Sequence, residues 1–198
     1  MAHGPAKGPD SEIDDLRRIA RANAERADKY KARMGRARQG ERVYVASSWR
    51  NIHQPAVVEA IRERGHLAYD FRHPARDGGG FAWSEIDTEW ESWTTEQYAA
   101  TLRHPVAKRG FSRDESAMRW ATSAVLVLPC GRSAHMEAGW FMGRDKPVIV
   151  YTPEPQEPEL MYLLGGPRTK ITDDVGLVLR WLDGLGQRVW FGHGHEVG

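Results

Sequence analysis

Residues 124–151 read AVLVLPCGRSAHMEAGWFMGRDKPVIVY, and their pattern decides the fold. The run Ala124-Val125-Leu126-Val127-Leu128 is apolar throughout and has the length of a buried strand. Pro129-Cys130-Gly131-Arg132-Ser133 breaks it. Residues 134–143 have helical composition, Lys146-Pro147 ends that stretch, and Val148-Ile149-Val150-Tyr151 reads as a second buried strand. Continuous apolar runs on both sides of a helix predict a β-α-β unit in a parallel sheet covered on both faces. One carboxylate, Glu137, lies near the start of that helix, beside the loop where such sheets bind ligands.

Upstream, the same alternation is present. Arg42-Val43-Tyr44-Val45-Ala46 predicts the first core strand, and Ser47-Ser48-Trp49-Arg50-Asn51 a polar loop after it. Residues 54–64 carry Ala56, Val57, Ala60 and Ile61 at helical spacing, and Gly65 closes that helix. Residues 66–71 read as the next strand. Because parallel strands point one way, the loop at 47–51 opens on the same sheet edge as the loop at 129–133.

Residues 72–110 interrupt the alternation with a Gly-rich turn, Asp77-Gly78-Gly79-Gly80, and an acidic stretch holding Trp83, Trp90 and Trp93. A helix over 89–102 is expected there. The excursion reads as a lid or pocket wall, or as an insertion packed on the sheet or a subunit contact. Residues 112–122 predict a helix with Ser112 as cap and Asp114-Glu115 in its first turn. Beyond Tyr151 the expectations are a short helix at 158–164, a fifth strand at 168–171, and a last helix capped by Asp173 or Asp174.

At either end the pattern thins. Residues 1–9 are rich in Gly, Pro and Ala, and 10–36 predict a helix whose apolar stripe (Ile13, Leu16, Ile19, Ala20, Ala24, Ala27) suits a solvated or partner-facing arm. The expected organisation is a tail and helical arm over 1–40, an α/β domain over 41–190, and a flexible tail over 191–198. His193-x-His195 with Glu196 has a spacing that metal ligands use, but no second pair supports it, so it reads as part of the tail.

Bulk composition excludes several classes. A net charge of +1 over 198 residues gives no field for nucleic-acid polymers. A single cysteine, Cys130, excludes an internal disulfide framework. No apolar run approaches the roughly 20 residues of a membrane span, and residues 1–8 lack an apolar signal-peptide core. These features lead us to expect a cytoplasmic protein. Eight tryptophans suit core and interface positions, and also pockets for flat aromatic ligands.

The chemistry-bearing residues gather at the expected loops. Gly131 lets backbone approach a ligand, and Ser133 can cap the helix or bind an anion at its N-terminus. Glu137 sits about one turn inside, where the helix dipole is expected to keep it ionised, as a nucleophilic carboxylate requires. Equally, it fits an ordinary solvent-facing glutamate. Asp114 is the nearest second carboxylate by topology. Such a pair suits glycosyl transfer, in which a carboxylate traps an oxocarbenium-like centre and a second group assists the leaving group. Trp49 can stack on a base, Arg50 and Arg132 can hold a phosphate, and Asp70 can bind sugar hydroxyls or cap its turn. Ser47 and Asn51 share the first of these loops. His135 either points into the pocket or lies on the surface. Cys130 has no evident histidine base in the sequence and reads as a small buried residue.

The pattern Asp114-x7-Thr122, strand, Gly-rich loop, Glu137-x-Gly139, then Lys146-Pro147-Val148 resembles the nucleoside 2-deoxyribosyltransferase superfamily. Residues 43–47 resemble the opening strand of those enzymes. The resemblance spans roughly 42–151 and is most specific at 131–150. It implies a three-layer, flavodoxin/Rossmann-like α/β sandwich with a five-stranded parallel sheet. It also implies that Glu137 attacks the anomeric carbon, that Asp114 assists the departing base, and that Ser133 binds a 5′-phosphate. Thr122 stands where the family often has an aspartate, Gly131 where the transferases have an acidic residue, and Ser133-Ala134-His135-Met136 where they have Gly-Thr. These departures bear on base transfer more than on glycosidic chemistry, and Arg50 and Arg132 lean toward a phosphorylated substrate.

The expected activity is therefore cleavage of the N-glycosidic bond of a nucleoside or nucleoside 5′-monophosphate, with no metal or organic cofactor. The expected partners are that small molecule and, by the resemblance, a second copy of the chain in a homodimer. Two readings from other classes stay open: a nucleotide-binding sensor without turnover, and a scaffold whose N-terminal helix pairs with a partner.

Overall fold

The computed structural model of the chain describes residues 40–74 and 80–188. The N-terminal arm, residues 75–79 and the tail with His193 and His195 lie outside the described residues. Five parallel strands form one sheet: β1 (Arg42–Ala46), β2 (Leu67–Asp70), β3 (Ser123–Val127), β4 (Val148–Tyr151) and β5 (Thr169–Thr172), in the order β2-β1-β3-β4-β5. This is the doubly wound arrangement of a flavodoxin-like fold. Its connections run in opposite directions from β1 and β3, and a crevice opens where they part.

Alternation along the strands sorts the core into two layers. Tyr44, Ala46, Ala124, Leu126, Val148 and Val150 face helices α3 (Pro105–Trp120) and α4 (Arg132–Met142), meeting Ala117, Met118, Ala134, Ala138 and Phe141. Val43, Val45, Val125, Val127 and Ile149 face α1 (Gln54–Glu63) and α5 (Val175–Arg188), meeting Val57, Val58, Ile61, Val178 and Leu182. β1 and β3 are buried on both faces, which explains their unbroken apolar runs. Full burial of each such side chain contributes about 1.5–3 kcal/mol.

Local signals end the helices where expected in most cases. Gly65 follows α1 with φ of 96°, a left-handed conformation that glycine adopts without steric cost. The Asp174 carboxylate accepts from the Gly176 amide at 2.6 Å and caps α5. Lys146 donates to the carbonyls of Met118 and Ala121, closing the end of α3, and its ammonium lies over the Trp140 ring.

Three expectations are corrected. The helix before β3 starts at Pro105, seven residues ahead of Ser112, with His104 as its cap, so Asp114 lies mid-helix and not in the first turn. Proline at the first helical position and the His104 ring accepting from the Val106 amide start it early. The helix expected over 89–102 divides into a 3₁₀ turn (Trp90–Ser92) and a short helix, α2 (Thr95–Thr101). Thr94 forces the break: it caps α2 by accepting from the Gln97 amide, in a reciprocal box with the Gln97 side chain. The stretch expected to be helical at 158–164 is a 3₁₀ segment, Leu160–Arg168, in which Gly166 has φ of 49°.

Candidate active site

The loops that follow β1 and β3 flank the point where the strand order reverses, and buried polar side chains tie them together. Asn51 is the central one. Its amide nitrogen donates to the carbonyls of Val127 and Pro129 at 3.3 and 2.9 Å. Its amide oxygen accepts from the backbone of His53 and Gln54 at 2.7 and 2.9 Å. It therefore starts α1 and ties that start to the β3 loop. Ser47 donates to the same Val127 carbonyl at 2.8 Å. Arg72 clamps the loop from the other side, donating to the carbonyls of Ser48 and Asn51. The polar atoms of Ser47 and Asn51, expected to meet substrate, are thus engaged in holding the loop.

Asp70 is likewise occupied. It is buried and accepts from Gln54, from the Arg72 amide and from His73. Burial pushes its carboxyl up, but the hydrogen bonds from His73, Gln54 and the Arg72 amide outweigh that and hold it below its ordinary value. Trp49 packs edge-on against Phe71 at 5.4 Å, and a Cβ at Gly80 would fall 2.5 Å from its ring, yet half of the indole stays exposed. Arg50, Arg132 and Ser133 are exposed at the rim.

On the α3/α4 side of the sheet the two carboxylates come together. Tyr44 of β1 and Tyr69 of β2 are direct register partners, and their rings stack 5.4 Å apart at 18°. The Tyr69 hydroxyl donates to Asp114 of α3 at 2.8 Å. Tyr44 presents its hydroxyl to Glu137 of α4. Burial, reinforced by the charge of Asp114, pushes the Glu137 carboxyl up to about 8, against the steadying hydroxyl of Tyr44. Burial also raises Asp114, while Tyr69 and Arg113 pull it back. The expectation that the helix dipole keeps Glu137 ionised is corrected: desolvation and a facing carboxylate outweigh a dipole worth about 0.3–1 kcal/mol. Glu137 is therefore held protonated at neutral pH.

Helix α4 begins at Gly131 without a side-chain cap, and a Cβ on Gly131 would meet nothing within 4 Å. Its first amides lack i−4 partners for geometric reasons. Ser133 sits one turn before Glu137 on the same helical face.

His135 is only partly exposed, and it organises the neighbouring wall. One ring nitrogen, Nδ1, lies 3.3 Å from the Cys130 sulfur and 3.2 Å from the Gly131 carbonyl; the other, Nε2, lies 3.2 Å from the Tyr162 hydroxyl. Cys130 therefore does have a histidine beside it, contrary to the sequence reading. Burial and the Glu137 charge nevertheless push the thiol up to about 12, so it is not a ready nucleophile.

Sequence reasoning missed Tyr44, Tyr69 and Tyr162. The signal was present for the first two: a tyrosine inside a buried run must place its hydroxyl somewhere. Among the described residues, no group of three His, Cys, Asp or Glu side chains is disposed to hold a metal ion, and no helix is long and apolar enough to cross a membrane.

No protein-family model matches the chain. No curated protein matches it either. Among solved structures, it is similar to that of the 2-deoxyribosyltransferase from Bacillus psychrosaccharolyticus, at 19% identity and a TM-score of 0.45, over 69% of this chain and 89% of that one. At that level of likeness, the fold rests on this chain's own strand order and the chemistry on its own side chains.

Proposed function

We propose that the protein cleaves the N-glycosidic bond of a nucleoside or nucleoside 5′-monophosphate. The observation that carries this reading is the carboxylate pair Glu137–Asp114, half-buried beside the strand-order switch, each member facing a tyrosine. Paired carboxylates of this kind suit chemistry at a sugar carbon, where one attacks and the other moves a proton.

One proton, resting on Glu137, serves the reaction. It passes from Glu137 to Asp114 when substrate binds. An ionised Glu137 oxygen bonds to the anomeric carbon while the carbon–nitrogen bond breaks, and the base leaves with the electron pair and the proton from Asp114. Water then gives its hydroxyl to the sugar carbon and its proton to the pair, and the ester to Glu137 breaks. A second base in place of water makes the reaction a transfer. The bare start of α4, with Ser133 and Arg132, supports a phosphate or sugar hydroxyl at that position. Trp49 offers an exposed indole face for a base. The mechanism uses no metal or organic cofactor.

Incubation with a panel of nucleosides and nucleoside monophosphates, followed by chromatography for free base, tests the reading. Release by the native chain and its loss in Glu137→Ala, with binding retained by calorimetry, is the expected result. One feature favours a sensor without turnover: burial beside Asp114 pushes the Glu137 carboxyl up to about 8, and a protonated carboxyl is no nucleophile. Tight nucleotide binding with no base released from any member of the panel would establish that second reading and end the first.

A further inference from the structure

Tyr69 plays no part in the steps above, yet it is built into the site from the sheet. Its register partner is Tyr44, the two rings stack, and each hydroxyl serves a different carboxylate. We infer that Tyr69 is a positioning residue: by donating to Asp114 it favours the ionised form of that carboxylate and so biases the pair toward carrying its proton on Glu137.

Three observations carry this. First, the hydrogen bond from Tyr69 to Asp114 is 2.8 Å, a good length for a phenol on a charged acceptor. Second, Tyr69 cannot easily serve another group, because its ring is held flat against Tyr44 at 18° and the β1–β2 register fixes its height. Third, among the described residues, the charged and titratable groups that act on the pair are few. They are Tyr44 from β1, Tyr69 from β2, Arg113 on α3, and Cys130 at the β3 loop. Of these, Tyr69 and Arg113 favour an ionised Asp114, while Tyr44 favours an ionised Glu137.

The consequence deepens the function proposed above and, for catalysis, rests on that reading. The resting site is held in the unreactive protonation state, with the would-be nucleophile capped by a proton. Substrate must displace the proton toward Asp114 before attack, so a molecule that does not engage Asp114 leaves Glu137 inert. A base with an acceptor nitrogen facing Asp114 meets that requirement.

The test reads the protons directly and needs no turnover. The full chain is labelled with ¹³C at Asp and Glu carboxyls, and the two signals are assigned by their loss in Asp114→Asn and Glu137→Gln. In the native chain Glu137 is expected to titrate near 8. In Tyr69→Phe, Asp114 is expected to hold its proton to a pH about one unit higher, with Glu137 moving the opposite way, since a hydrogen bond to a charged group is worth about a tenfold change or more. Midpoints that stay put in a folded Tyr69→Phe chain would overturn the inference. Should that variant not fold, 3-fluorotyrosine at position 69 keeps the ring and strengthens the donor. It is expected to lower the Asp114 midpoint and raise that of Glu137, and no movement there overturns the inference equally. Absence of base release would remove the proposed function while leaving these titrations interpretable.

Discussion

The two edges of the sheet each bury an acid, and they treat it in opposite ways. At the N-terminal edge, Glu41 is buried beneath β1 and its carboxylate accepts from the hydroxyls of Thr122 and Ser123. Its backbone amide donates to His66 Nδ1 at 3.1 Å, and His66 Nε2 contacts Asp183 of α5, which also pairs with Arg64. At the C-terminal edge, Glu137 has one tyrosine hydroxyl and faces another acid. An acid with its lone pairs satisfied fastens strands to a helix; an acid left partly unsatisfied beside a like charge stores reactivity at a cost in stability.

That contrast is broken or sharpened by substitution. The largest effect is expected from Glu137→Gln, which should slow base release by about a thousandfold, ~4 kcal/mol of lost transition-state stabilisation, measured by single-turnover chromatography. Glu41→Ala should leave that rate unchanged and lower stability by about 3 kcal/mol in urea unfolding, because two hydroxyls lose their buried acceptor. A Glu41 variant with native stability and lost turnover would reverse the assignment of the two edges.

The pH dependence of stability separates the edges further. Folded Glu137 keeps its proton to about pH 8, whereas an unperturbed glutamate releases it near 4.5. Between those values the folded chain binds more protons than the unfolded one, so stability falls as pH rises through the window and is level above it. Glu137→Gln should remove that part of the slope, and at pH 9 it should exceed the native chain by roughly 2 kcal/mol, read from urea midpoints.

A smaller effect concerns the loop that lines the crevice. Asn51 makes four hydrogen bonds to backbone and bridges both sides of the strand-order switch. Asn51→Ala should cost about 1–2 kcal/mol of stability, with its loss of turnover following the loss of folded protein. A variant of native stability with a raised KM would instead return Asn51 to the substrate-contacting role that its loop position suggested.

Much of this architecture is legible without coordinates, because it depends on local rules. Unbroken apolar runs at 124–128 and 148–151 can only be strands covered on both faces, and Gly65 and Asp174 end and begin helices through backbone geometry that neighbours alone dictate. Those rules also bring the loop at 47–51 and Glu137 to one edge. What escaped them involves partners distant in sequence. His104 and Pro105 start α3 early and move Asp114 to mid-helix, and only the crossing of α3 and α4 over β1 brings Asp114 near Glu137.

The sequence alone determined the parallel α/β class, the edge on which the polar loops open, and the two acids worth watching, since periodicity and residue type suffice for each. Tertiary structure decided their ionisation, the stacking of Tyr44 on Tyr69, the engagement of Asn51, Ser47 and Asp70 in scaffolding, and the pairing of Cys130 with His135. The physical reason is that desolvation, Coulomb repulsion and hydrogen bonding act through space over a few ångströms. The pattern along one strand carries no record of which strand or helix lies beside it.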